Sequence, residues 1–252
     1  MTASTSPGSA TDVLVEAVDL HRTWGSGVSA VSAVDGISLQ VRTAEVLALM
    51  GPSGCGKTTL LGLLGGLDAP DRGTVHIAGR DWQSFGGRAQ AQFRRSTCGY
   101  VFQNLALLPA ATAAENVEVP LLLAGMPAAE RRGRVAEMLE QVGMGEHGAH
   151  LPDQLSGGQQ QRIGIARALV HRPRLVLADE PTGSLDSHNA QEITRVLVTA
   201  AQQQDTTVVL VTHDPRVAAH AHRILHLHSG RLADSDDSGV AAGEPAGAGV
   251  AP

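Results

Sequence analysis

Lysine is almost absent from this chain of 252 residues: 18 of its 19 basic side chains are arginine, and the one lysine is Lys57. Such a skew fits a GC-rich coding sequence, in which arginine codons displace lysine codons, and it marks the position where lysine stayed. Cysteine is scarce too. Cys55 and Cys98 are the only two and form no CxxC pair. No disulfide framework is encoded, and a reducing, cytoplasmic setting is expected. Apolar runs such as Val46–Met50 are far shorter than the roughly 18 residues that cross a bilayer. The opening MTASTSPGSA has neither a charged leader nor an apolar stretch, so no signal peptide is expected. An excess of positive charge is missing as well. The net charge is −6, and Asp234, Asp236, Asp237 and Glu244 lie in a tail with no basic residue after Arg231. The body is therefore nearly neutral. A large nucleic-acid footprint is normally basic, so no nucleic-acid partner is expected.

What is present suffices for a folded body. Hydrophobic residues make up 42% and charged residues 17%, which excludes a mostly disordered chain, and the length suits one large domain or one domain with a sub-lobe. Apolar runs predict strands at Leu14–Val18, Ile37–Val41, Val46–Met50, Thr74–Ile77, Leu175–Ala178, Thr207–Thr212 and Ile224–Leu227. Helical spacing predicts Thr58–Gly65, Ala128–Val142, Gln159–Val170 and Asn189–Gln203. The stretch from about 88 to 170 reads as mostly helical, between strand-rich and alternating parts. That pattern predicts a helical lobe inserted in an α/β core. Residues 1–11 and 233–252 read as flexible tails around a body at 12–232.

Three motifs carry chemistry. Gly51-Pro52-Ser53-Gly54-Cys55-Gly56-Lys57-Thr58 matches the phosphate-binding loop G-x-x-x-x-G-K-[ST], between a predicted strand and a predicted helix. Its glycines let backbone N–H groups approach phosphates, and the helix N-terminus adds partial positive charge. Lys57 is placed for the β- and γ-phosphates and Thr58 for Mg²⁺. A compact ammonium on a flexible stem fits such a loop better than the planar fork of arginine. The second motif, Leu155-Ser156-Gly157-Gly158-Gln159, opens a helix. Ser156 can cap it, but two consecutive glycines serve capping poorly and suit backbone N–H groups that must meet a phosphate. The third, Leu175–Glu180, is an apolar strand ending in two carboxylates: Asp179 for Mg²⁺ and Glu180 as base for a water. Two adjacent acids are rarely a structural device, because like charges repel.

The segments GPSGCGKTTLLGLLGGLD, GYVFQNLALLP, ENVEVPL, LSGGQQQRIGIARAL, ADEPTGSLD and VTHD follow one another over residues 12 to about 232. In that order they resemble the nucleotide-binding subunits of ATP-binding cassette (ABC) transporters, and within them the subfamily that serves lipoprotein release, macrolide and peptide export. The resemblance implies a P-loop fold with a RecA-like α/β core, an antiparallel β part and the helical lobe. It implies ATP and Mg²⁺, with the phosphates held by Gly51 through Thr59. It assigns Gln103 to the water, the Mg²⁺ and the sensing of a membrane partner, Asp186 to the loop after the catalytic acids, and His213 to the γ-phosphate. Ser156, Gly157, Gly158 and Gln159 face the nucleotide of a second copy. Trp24 stands where the family usually has an adenine-stacking tyrosine, and Ala44 where it usually has glycine. The implied partners are a second copy of the chain and a separate transmembrane permease, which would hold the subunit at the cytoplasmic face of the membrane. A related possibility is a mechanotransmitting ATPase that regulates a cell-wall hydrolase through its membrane partner. An ATPase of DNA maintenance is excluded, since Gln103 and Ser156 are too close for a long coiled coil and no heptads separate them.

Overall fold

The computed structural model describes residues 13–183 and 187–233. In chain order these form β1 (Val13–Trp24), β2 (Val31–Arg42), β3 (Val46–Met50), α1 (Lys57–Leu64), β4 (Arg72–Ile77), β5 (Arg80–Asp81), α2 (Gly87–Thr97) and β6 (Cys98–Val101). The chain continues through α3 (Ala113–Leu123), α4 (Ala128–Gln141), α5 (Gly157–Leu169), β7 (Leu175–Asp179), α6 (Ser187–Gln202), β8 (Thr207–Val211), α7 (Pro215–Ala218), β9 (Arg223–His228) and β10 (Arg231–Leu232). Save Ala233, the tails expected at 1–11 and 233–252 lie outside the described residues.

Two sheets organise these elements. One has four strands in the order β2-β1-β4-β5, antiparallel throughout. The other has six in the order β10-β9-β3-β8-β7-β6; β9, β3, β8, β7 and β6 run parallel, and β10 turns back antiparallel on β9. The period of two along a strand divides the second sheet between two cores. Val46, Val176, Ala178, Val208 and Leu210 face the helices on one side, packing with Ile163, Ile165, Leu169, Ile193 and Leu197. Leu47, Leu49, Leu175, Leu177, Val209 and Val211 face the other way, onto Leu60, Leu63 and Leu64 of α1 and the inner side of the antiparallel sheet. With both faces covered, these strands are continuous hydrophobic runs, the sequence form of a buried parallel sheet.

Strands β3, β6, β7 and β8 run parallel, so the segments that leave their carboxyl ends gather along one edge. These four segments carry the phosphate loop, Gln103, the Asp179-Glu180 pair and His213.

The structure adds to the sequence expectation the short elements β5, β10 and α7 and the helix α2, and three further differences have a physical reason. β1 and β2 are 12 residues each, well beyond the predicted runs. In β1 the register slips between Ala17 and Leu20, with Asp19 at φ 49°, and such a bulge destroys the alternation that would have announced the strand. β6 is a strand inside the stretch expected to be mostly helical; it has four residues and is mostly buried, too short for any period to show. The helix α3 lies within the stretch expected to be mostly helical, though no helical run is delimited there; it carries Pro120 inside it. The signal was nonetheless present in Thr112-x-x-Glu115, whose capping box is formed: the Glu115 N–H donates to Thr112 Oγ1 at 3.2 Å, and the Thr112 N–H to Glu115 Oε2 at 2.7 Å.

Candidate functional site

The phosphate loop is the turn between β3 and α1, and its shape demands glycine. Gly51, Gly54 and Gly56 all have positive φ, at 151°, 77° and 103°. A Cβ on Gly51 would run into the Leu227 carbonyl, and one on Gly56 into the Ala33 carbonyl. The loop is braced from behind, where the Gly230 N–H donates to the Cys55 carbonyl at 3.0 Å. Cys55 itself is buried, a packing residue of the loop. Lys57 is only 6% exposed. Its Nζ donates to the carbonyl oxygens of Gly51 and Pro52, both at 2.8 Å. Among the described residues the ammonium therefore has neutral partners and no contacting carboxylate, which leaves its charge available to an anion.

Opposite Lys57 stands a chain of polar contacts. Thr58 Oγ1 donates to Asp179 Oδ1 at 3.2 Å. Gln103 Nε2 donates to Glu180 Oε2 at 3.4 Å, and His213 Nδ1 lies 3.4 Å from Glu180 Oε1. In a regular strand Asp179 and Glu180 would point to opposite faces. Glu180 instead leaves the strand at φ 42°, a left-handed conformation that is strained for a non-glycine residue and typical of functional sites. The turn is secured from both sides: the Glu180 N–H donates to Val211, and its carbonyl accepts from Gly183, each at 3.0 Å. Burial pushes the Asp179 carboxyl above the ordinary range; the Thr58 hydroxyl pulls it back, the Glu180 charge adds to the rise, and Lys57 opposes it. The hydroxyl of Thr58 and the carboxylate of Asp179 make a hard oxygen pair that suits Mg²⁺.

A cleft of about 380 Å³ is lined by Trp24, Ala33, Ser53, Gly54, Gly56, Lys57, Thr58, Thr59, Gln103 and Glu180 among others; Asp179 meets it through Thr58, and His213 lines the neighbouring hollow that shares Glu180. Trp24 enters the cleft from the end of β1, 44% exposed, with its indole N–H donating to Thr59 Oγ1 at 3.2 Å. The structure thus brings together Trp24, the loop from Gly51 to Thr59, Gln103, Asp179, Glu180 and His213, which are spread over 190 residues of sequence. Thr59 gains a concrete part as the partner of Trp24.

The second motif is not in that cleft's lining. Ser156 caps α5 in full: its Oγ accepts from the Gln159 N–H at 3.3 Å, and the Ser156 N–H donates to Gln159 Oε1 at 2.9 Å. Gln159 is held on its far side by His147 at 3.0 Å. A Cβ on Gly158 would meet nothing within 4 Å. Asp186 lies outside the described residues.

A glycine-lined loop between a parallel strand and a helix, one buried lysine and a threonine–aspartate pair define a P-loop nucleoside-triphosphatase domain. The chain belongs to the ABC transporter family, which it matches over residues 34–183. Over 221 residues it is 44% identical to the lipoprotein-releasing system ATP-binding protein LolD of Legionella pneumophila strain Paris, covering 88% of this chain and 97% of that one. It is 47% identical, again over 221 residues, to the macrolide export ATP-binding/permease protein MacB of Marinobacter nauticus. That match covers 88% of this chain and 34% of the exporter, so the chain spans about a third of the latter's length. Among solved structures it superimposes on a dimeric ATP-binding cassette in a post-hydrolysis state, bound to ADP and phosphate, with a TM-score of 0.80 and 38% identity. That superposition covers 87% of this chain and 96% of the other.

Proposed function

We propose that the chain is the nucleotide-binding subunit of an ABC transporter, hydrolysing ATP with Mg²⁺ at the cleft of Lys57 and Glu180 and driving a separate membrane permease in export or in lipoprotein, peptide or drug handling. The observation that carries this reading is that Lys57, Thr58, Gln103 and Glu180 line one cleft, with Asp179 bonded to Thr58 and His213 at 3.4 Å from Glu180. In that reading the phosphates lie on the loop N–H groups and at the N-terminus of α1, with Lys57 against the β- and γ-phosphates. Thr58 and Asp179 would hold Mg²⁺, which supplies charge neutralisation between the phosphates. Glu180 accepts the proton of the attacking water, Gln103 orients that water, and His213 donates to the γ-phosphate. The Glu180 carboxylate is held by Gln103 on one oxygen and His213 on the other, so its direction is fixed before substrate arrives. Trp24 offers its ring to the adenine.

The active unit in this reading is a head-to-tail pair. Ser156 and Gly158 of one copy would close over the triphosphate held by Lys57 of the other. Support comes from Gly158, where a side chain would meet none of the described residues within 4 Å, and from the dimeric form of the ADP- and phosphate-bound relative. For the permease, the segment after β6 is suggestive. Phe102, 40% exposed, lines an open groove with Leu67, Leu123, Arg94, Arg95 and Arg167, and is followed directly by Gln103 at the catalytic carboxylate. Displacement of this segment by a docked partner would reach Glu180 through one residue.

The test uses Glu180→Gln, which keeps the shape and removes the base, an effect of about 10²–10⁴ in rate. The purified variant is expected to be monomeric without nucleotide and with ADP, and dimeric with ATP, as read by light scattering. Adding Ser156→Arg is expected to abolish the dimer and leave ATP binding intact. A Glu180→Gln chain that hydrolyses ATP at the parent rate would overturn the assignment of the base.

A further inference from the structure

The ring of Trp24 is held by more than its bond to Thr59. The guanidinium of Arg22 lies over it, 4.3 Å from the ring centroid. Arg22 is in turn fixed by Asp71: Nη1 donates to Asp71 Oδ1 at 2.7 Å. The other oxygen of the same carboxylate accepts the Thr23 N–H, also at 2.7 Å. The Asp71 N–H donates to the His21 carbonyl at 2.8 Å. The ladder between β1 and β4 ends at the pair His21 and Arg72. Beyond that pair Asp71 takes over, its backbone bonding residue 21 and its carboxylate residue 23, with the side chain of residue 22 gripped between. The register of β1 slips at this same place, between Arg22 and Thr23, a bulge of the kind that re-aims a side chain.

We infer that Arg22 and Asp71 are positioning residues for the nucleobase: Arg22 backs one face of the Trp24 indole, so that the base of a nucleoside triphosphate stacks on the opposite face in a three-layer stack of guanidinium, indole and base. The inference rests on the nucleotide reading of the cleft and adds how its base end is organised. Three constraints act on one exposed ring. The hydrogen bond to Thr59 fixes the indole edge, Arg22 fixes the plane, and Asp71 fixes Arg22. A tyrosine would hold a comparable place through its own hydroxyl; tryptophan has one N–H, already used on Thr59, and needs support on its back face. Cation–π contact also favours Arg over Lys, since a planar guanidinium lies flat on the ring.

Calorimetry on the full chain, with ATP and with inorganic triphosphate as separate titrants, tests this. Inorganic triphosphate occupies the phosphate loop without a base. Arg22→Ala is expected to weaken ATP binding about two- to five-fold, the equivalent of one exposed cation–π contact, and to leave triphosphate affinity unchanged. In a Trp24→Ala background the same substitution is expected to do nothing further. Steady-state kinetics are expected to show a raised KM for ATP at unchanged kcat. Asp71→Asn, which keeps an acceptor for Thr23 and releases Arg22, is expected to act in the same direction and guards against a folding defect in the first variant. Acrylamide quenching, which reaches exposed Trp24 and not buried Trp82, is expected to rise in both variants and to fall when ATP is added. Equal weakening of ATP and triphosphate would show that Arg22 acts through its charge on the phosphates and would overturn the proposal, as would an undiminished effect in the Trp24→Ala background. A parent chain that binds neither titrant would instead remove the nucleotide reading itself.

Discussion

Two helices of this protein begin in glycine-rich turns, and the two beginnings are built on opposite principles. The start of α1 has no side-chain cap. Its glycines are compelled by the chain itself, through positive φ at Gly51, Gly54 and Gly56 and through the carbonyls of Leu227 and Ala33 packed against Gly51 and Gly56 respectively. The start of α5 has a complete capping box from Ser156 and Gln159, and Gly158 has ordinary helical φ with open space where a side chain would be. At α1 the sequence answers a demand from within the fold. At α5 no described neighbour makes such a demand on Gly158, and in the proposed reading a second nucleotide-loaded copy is what would use the open space beside the cap.

The sharpest way to break this contrast is Gly56→Ala. The new methyl must displace the Ala33 backbone in a conformation already unfavourable for alanine, and the expected loss is about 3 kcal/mol or more of stability, read by chemical denaturation, together with ATP binding. Retained stability would mean the loop adapts and the comparison fails. Ser156→Ala removes one member of the capping box and is expected to cost about 1 kcal/mol in the same assay. Ala44 supplies a converse case. The resemblance marks it as a usual glycine position, and the structure places it at φ 58°, with its N–H donating to Thr207 Oγ1 at 2.9 Å. Ala44→Gly is therefore expected to be neutral or stabilising, by up to about 1 kcal/mol, in contrast to ordinary strand-end positions where glycine weakens the fold. The smallest expected change in stability is at Gly158. Gly158→Ala in the first turn of a helix is expected to shift stability by less than about 1 kcal/mol, in the stabilising direction, while reducing ATP-driven dimerisation of the Glu180→Gln chain. A Gly158→Ala chain that dimerises as well as its parent would leave the open space at α5 without a purpose.

The legibility of the sequence follows the same division. Residues bound by short-range chemistry could be read in one dimension: the loop Gly51–Thr58, the carboxylate pair at the end of β7, and the cap Ser156. Each signal fits within about ten residues and rests on backbone geometry or charge that the residue types impose. What the sequence hid were contacts made by strand order. Nothing near Gln103 or His213 announces that each will lie 3.4 Å from Glu180; the meeting exists because β6, β7 and β8 are neighbours in a parallel sheet. Arg22 and Asp71 went unread for the same reason. They are 49 residues apart, on β1 and in the turn before β4, and only the antiparallel pairing of those strands makes them one device.

The single lysine has a practical consequence. A lysine-directed protease has one bond to cut in this polypeptide, after Lys57, in the first turn of α1. Lys57 is 6% exposed and tied to the Gly51 and Pro52 carbonyls, so cleavage requires that turn to open. The rate at which the intact chain gives way to two fragments, 57 and 195 residues long, is then a stopwatch for the local melting of one loop, unblurred by fraying anywhere else in the molecule.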